Sequence, residues 1–159
     1  MRTLTLPDFL PRAALLALTA SLTLSGCGEL LDALPGTSLS GTVYGERFSA
    51  LSSTAEISSD GTFFLTFSDS ASFSCTSTPP GNYLTVVVGQ VQSTGTLSAA
   101  GNVSFNLIEG GTTFTESASA GTIVIDRIDT DVDHIIKGSI NASGPSSEVS
   151  GAFSTPICN

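Results

Sequence analysis

Thr62-Phe63-Phe64-Leu65-Thr66-Phe67-Ser68, introduced by Ser59-Asp60-Gly61, decides the fold class. Successive side chains of an extended chain point to opposite sides, so Phe63, Leu65 and Phe67 share one face and Phe64, Thr66 and Ser68 the other. Ser59-Asp60-Gly61 reads as the tight turn ahead of this strand, because glycine accepts a positive φ without steric cost. The same two-residue period recurs along the chain. Leu84, Val86 and Val88 alternate with Tyr83, Thr85 and Val87, and Val103, Phe105 and Leu107 alternate with Ser104 and Asn106. Ile123 and Ile125 continue it, as do Val149, Gly151 and Phe153.

The breaks between these runs carry turn chemistry. Tyr44-Gly45-Glu46-Arg47 separates Val43 from Phe48 as a second hairpin candidate, and Thr78-Pro79-Pro80-Gly81-Asn82 forms a loop beside Cys75. Ala100-Gly101-Asn102, Glu109-Gly110-Gly111 and Ser143-Gly144-Pro145 supply further turns. From Leu39 onward no window shows a helical period, and Thr, Ser, Val and Phe dominate. The pattern predicts an all-β domain of about eight or nine short antiparallel strands arranged as a β-sandwich, with a closed meander β-barrel as the alternative. Gly-Thr recurs at Gly36, Gly41, Gly61, Gly95, Gly111 and Gly121 at irregular intervals, which is strand-entry chemistry and not a repeat array.

The N-terminal segment follows different rules. Arg2 and Arg12 precede an apolar run from Ala13 to Leu24, too short to span a bilayer and suited to the core of a signal peptide. The run ends in Leu24-Ser25-Gly26-Cys27, which resembles the lipobox of bacterial lipoproteins processed by signal peptidase II. That resemblance implies a signal peptide over 1–26 and cleavage before Cys27. It also implies a diacylglyceryl group and an N-acyl chain on Cys27, with two or three acyl chains giving a stable membrane anchor. Gly28, rather than Asp, follows the cysteine, which by resemblance to the enterobacterial sorting rule implies the outer membrane. Residues 27–38 then read as the lipidated cysteine and a short tether, stopped by Pro35-Gly36, and 39–159 as one β domain in the cell envelope.

Without residues 1–26 the chain has 133 residues, with Arg47, Arg127 and Lys137 against thirteen acidic side chains. This acidity excludes a nucleic-acid partner and a polybasic lipid-binding patch. Lipid on Cys27 leaves Cys75 and Cys158 as an even pair, for which a disulfide is expected in an exported protein in preference to two buried thiols.

The lipobox and three further segments resemble a group of bacterial lipoproteins with small β domains. These are Gly41-Thr42-Val43-Tyr44-Gly45-Glu46-Arg47-Phe48, the run from Ala120 to Ile125, and Lys137-Gly138-Ser139-Ile140 with Val149-Ser150-Gly151-Ala152-Phe153. The resemblance implies fold and location and carries no activity.

Candidates for chemistry are sparse. The lone histidine, His134, has no Gly-x-Ser-x-Gly elbow to serve, and its expected place is a strand after the Asp129-Thr130-Asp131 turn. Asp126, Asp129, Asp131 and Asp133 resemble the opening of a calcium loop, but His134 and Ile140 stand where an EF-hand needs Gly and Glu. The cluster therefore reads as a solvated acidic turn, with a non-EF calcium site on these four carboxylates as the alternative. Glu46, Glu56, Glu109, Glu116 and Glu148 could include a carboxylate pair, but spacing alone defines none. No catalytic constellation or cofactor motif emerges, and the chain reads as non-enzymatic. The expectation is a lipid-anchored β domain for interaction with an envelope protein or for envelope structure. A small-molecule or lipid carrier with a cavity lined by Phe63, Phe67, Val86 and Phe105 is the second reading, and a hydrolase the third.

Overall fold

The computed structural model describes residues 37–158. The signal segment, the Leu24-Ser25-Gly26-Cys27 motif and the tether up to residue 36 lie outside the described residues. Eleven strands follow in order: β1 (Ser40–Val43), β2 (Glu46–Ser49), β3 (Ser52–Ile57), β4 (Phe63–Ser68), β5 (Tyr83–Val91), β6 (Gly95–Ser98), β7 (Val103–Glu109), β8 (Thr112–Ser117), β9 (Ala120–Asp129), β10 (Ile135–Ser143) and β11 (Glu148–Pro156). They form a six-stranded sheet, β2-β1-β11-β10-β9-β6, and a five-stranded sheet, β3-β4-β5-β7-β8, with antiparallel neighbours throughout. This is a β-sandwich. The barrel alternative fails because each sheet ends in strands that do not close on one another.

The count exceeds the expected eight or nine because the additional strands are short or weakly patterned. β2 and β6 have four residues each, and β8, Thr-Thr-Phe-Thr-Glu-Ser, has no inward apolar alternation to announce it. The turn over residues 44–47 is also tighter than its four letters suggest. Tyr44 and Gly45 make the whole turn with φ values of 52° and 78°, so that Glu46 and Arg47 already belong to β2.

The alternating residues fill the space between the sheets. Phe63, Leu65 and Phe67 of β4, Val86 and Val88 of β5, Val103 and Phe105 of β7, Ile123 and Ile125 of β9, and Val149 and Phe153 of β11 are all buried. Phe67 and Phe153 meet across the sandwich edge-to-face, with ring centroids 5.2 Å apart and planes at 62°, an arrangement that adds to area burial because ring edge and face carry opposite partial charge. Phe64, on the other face of β4, remains 41% exposed. Its outer-face neighbour Ser68 departs from the alternation and is fully buried, because the loop from Asp69 to Asn82 turns back across the start of β3 and the end of β4.

A disulfide joins that loop to the C-terminal end of β11. Cys75 occupies the tip of a tight turn closed by reciprocal Ser74–Ser77 backbone bonds, and it bonds Cys158 across a sequence separation of 83 with Cα atoms 5.5 Å apart. Beside it, Ile157 lies parallel to Ala55 of β3, and the Cys158 N–H donates to the Ala55 carbonyl at 2.8 Å. The free edge of β3 is thereby capped. At the other terminus, Thr37 and Ser38 are hydrogen-bonded to β11. Thr37 Oγ1 accepts from the Ser154 N–H at 3.0 Å, and the Ser38 N–H donates to the Ala152 carbonyl at 2.8 Å.

Candidate functional site

Two places bring polar side chains together. The first is a groove of about 210 Å3 at one rim of the sandwich. Glu46 and Arg47 reach it from β2, Tyr83 and Leu84 from the start of β5, and Leu107 from β7; Asp69 and Asn82 mark the two ends of the disulfide-tied loop. Leu84 and Leu107 make an apolar floor, and the charges stand around it. Asp69 is half-buried, and its Oδ1 accepts the Leu84 N–H at 2.7 Å. Burial pushes its pKa above the ordinary aspartate value, outweighing that hydrogen bond. Among the described residues Arg47 makes no ion pair, so it offers a free cation next to two carboxylates. Spacing alone assigns no partner to Glu46; the fold puts it on the lining of the same groove as Asp69, whose only sequence signal is its place between a strand and the Cys75 loop.

The second is the acidic turn between β9 and β10. Asp129 Oδ1 accepts the backbone N–H groups of Asp131, Val132 and Asp133 at 3.1, 2.9 and 3.3 Å. Arg127 donates through one nitrogen to Asp129 and to Asp133, the latter at 2.8 Å. The Val132 N–H foremost, then Arg127, holds the Asp129 carboxyl well below the usual range. Asp131 accepts from the Thr130 hydroxyl at 3.3 Å, while Asp126 is the extra residue of the bulge opposite Lys137 and Gly138. Arg127, which lies between Asp126 and Asp129 in the sequence, thus supplies a countercharge from within the cluster. Among the described residues no group of three or more His, Cys, Asp or Glu side chains gathers as a metal-ligand set.

His134 ends this turn instead of lying within a strand. It takes φ of 50°, directly before β10, and its carbonyl accepts the Ile157 N–H at 2.8 Å. Asx-type bonding by Asp129 shortens the turn and leaves His134 in the left-handed region, where the chain reverses into β10. Its imidazole has no hydrogen-bond partner among the described residues, and no serine is held against it.

Glu116 of β8 has a structural engagement. It accepts from the Ser146 hydroxyl at 2.6 Å and the Ser146 N–H at 3.3 Å, tying β8 to the β10–β11 turn. Partial burial raises its pKa, but the hydrogen bonds from Ser146 and Ser147 outweigh it and the net shift is downward.

Searches of protein-family models, of curated proteins and of solved structures find nothing that matches this chain.

Proposed function

We propose that this chain is a bacterial lipoprotein, exported and anchored through diacylglyceryl and N-acyl groups on Cys27, whose β-sandwich serves protein interaction in the cell envelope without catalysis. The observation that carries the reading is the pairing of Cys75 with Cys158. A cystine of this kind belongs to an oxidising compartment, and it consumes both cysteines of the domain. Cys27, in its Leu24-Ser25-Gly26-Cys27 setting, is then the one cysteine left to carry lipid.

The tether supports the same reading. Thr37 is already hydrogen-bonded into the sandwich, so the span from Cys27 to the domain is ten residues long. At up to about 3.5 Å per residue the sandwich would stand within roughly 35 Å of the anchor. A domain so held meets partners at the membrane surface. The outer membrane is the proposed address, on the strength of Gly28.

The carrier reading has less support. Phe63, Phe67, Val86 and Phe105, the residues that would line its cavity, are packed into the core. The rim groove, at about 210 Å3, falls below the roughly 300–1,000 Å3 of ordinary ligand sites. Native mass spectrometry of the protein extracted from its own membranes tests the proposal. The expected result is a chain beginning at Cys27 with the added mass of three acyl chains and an intact disulfide. An unacylated Cys27 would refute the anchor, and a small mass lost on denaturation would favour the carrier.

A further inference from the structure

The two sheets present four edge strands: β2 and β6 on one sheet, β3 and β8 on the other. An open edge offers unpaired N–H and C=O groups to any extended chain, and proteins blunt edges by shortness, by lysine or proline, by bulges, or by a cover. Three of these edges are blunted. β2 and β6 have four residues each, and β2 also carries Arg47. β3 is capped by Ile157 and Cys158, fastened by the disulfide. β8 is covered only at its far end, where Glu116 bonds Ser146 and the Ser117 carbonyl lies against Gly144 of the β10–β11 turn; from Thr112 to Thr115 it has none of these devices. It runs for six residues with five of them exposed, without proline, lysine, arginine or bulge.

Its hydrogen-bonding pattern follows from the turn that starts it. Gly110 and Gly111, with φ of 57° and 80°, make a two-residue turn that closes Glu109 and Thr112 as a bonded pair. The Ala118 N–H to Val103 carbonyl bond, 2.8 Å, keeps the same alternation at the far end. Thr112, Phe114 and Glu116 therefore bond to β7, and Thr113 and Thr115 turn their N–H and C=O groups to the open edge; the Ser117 carbonyl turns the same way but lies against Gly144. Phe114, 47% exposed, stands beside half-buried Leu107 as an apolar foothold at this edge.

Charge selects the occupant. Between Phe48 and Asp126 the sequence contains no lysine, arginine or histidine, while Glu56, Asp60, Asp69, Glu109, Glu116 and Asp126 are acidic. The whole five-stranded sheet lies in this interval, so it carries negative charge alone. We propose that β8 is a strand-addition site for a basic, extended segment of a partner protein, which pairs with Thr113 and Thr115 and covers Phe114 with an apolar side chain. Backbone pairing supplies affinity, and alternating basic and apolar side chains supply selectivity. A second copy brings the same negative sheet and is disfavoured by like charge. The inference rests on the interaction reading above and names the partner's chemistry.

The test uses the full chain and a short synthetic peptide alternating lysine and valine. Two control peptides replace lysine by glutamate, or alternate valines by proline, which keeps the charge but removes pairing. The expected result is binding of the lysine peptide with slowed amide exchange at Thr113 and Thr115. Both controls should bind at least about tenfold more weakly. Thr113→Pro removes an outward N–H and no bond to β7, so the variant should keep its disulfide and spectrum and lose at least about tenfold in affinity. Equal binding of the proline peptide, unchanged binding by Thr113→Pro, or protection at β2 or β6 would overturn the site. Self-association of the free chain through β8 would assign the edge to a second copy and overturn the basic partner. A missing lipid on Cys27 bears on the anchor alone and leaves these outcomes unaffected.

Discussion

Removing the Cys75–Cys158 disulfide by the double substitution Cys75→Ser and Cys158→Ser should destabilise the sandwich heavily. The bond closes a sequence separation of 83, and the chain-entropy relation for a loop of that length gives about 4.5 kcal/mol at 25 °C. The native-state consequences add to this. The C-terminal residues Ile157 and Cys158 cap β3, and Asp69–Asn82 bonds buried Ser52 and Ser68; both are tied down by the same bond. With a total stability of about 5–15 kcal/mol expected for a domain, the variant sits near the limit of folding. Urea unfolding followed by circular dichroism measures the effect. For a slope of about 2 kcal/mol/M the midpoint should fall by about 2 M, and reduction of the wild type should reproduce the fall. Amide exchange should quicken first at Ala55 and Cys158. A midpoint shift below about 0.5 M in both experiments would refute the argument, since it would mean that the long loop is constrained equally well without the bond.

Two further expectations test the packing and the charges. At Gly138 a Cβ would lie 2.0 Å from the Val124 carbonyl oxygen and 2.9 Å from Phe153 Cζ, so Gly138→Ala should cost about 3 kcal/mol. Gly89→Ala is the control, because its Cβ would meet Phe64 at an ordinary 3.6 Å, and it should be neutral or slightly stabilising by urea denaturation. Asp129, whose native pKa is depressed, contributes stability that is present above the ordinary aspartate value of about 4 and is lost as pH falls through its lower native value. Asp129→Asn should therefore destabilise at pH 7 and converge with wild type in strong acid. Asp69, whose pKa is raised by burial, has the opposite sign: its ionised form is disfavoured in the fold. Asp69→Asn should be more stable than wild type at pH 7 and equal to it below about pH 3, as read by thermal melts across pH. Parallel profiles for the two variants would refute this assignment.

The core was legible because two-residue alternation is a local property. Phe63, Leu65 and Phe67 are inward wherever their strand is placed, and the burial of each follows from the pleat. The hairpin at Ser59-Asp60-Gly61 was legible for a similar reason. Asp60 Oδ1 accepts the Thr62 N–H at 3.0 Å within the turn itself, and the Ser58 hydroxyl also bonds it. β8 was hidden because its stability comes from pairing with β7 and from the Glu116–Ser146 bonds, thirty residues apart in sequence. The groove was hidden as well. Arg47 and Asp69 line one groove only because β2 and the end of β4 reach one rim of the sandwich from different sheets.

Local chemistry by itself determined that the chain after Leu39 is β, which residues face inward, where the tight turns fall, and that Cys75 and Cys158 are available to each other. These follow from backbone geometry and side-chain type over a few residues. Tertiary structure decided the order of strands in the two sheets, the gathering of the groove residues from both sheets, and the capping of β3 by Ile157. It also decided that β8, among the four edges, is left open from Thr112 to Thr115. An edge is defined by the neighbour a strand lacks, and no stretch of sequence records which neighbours the finished fold will withhold.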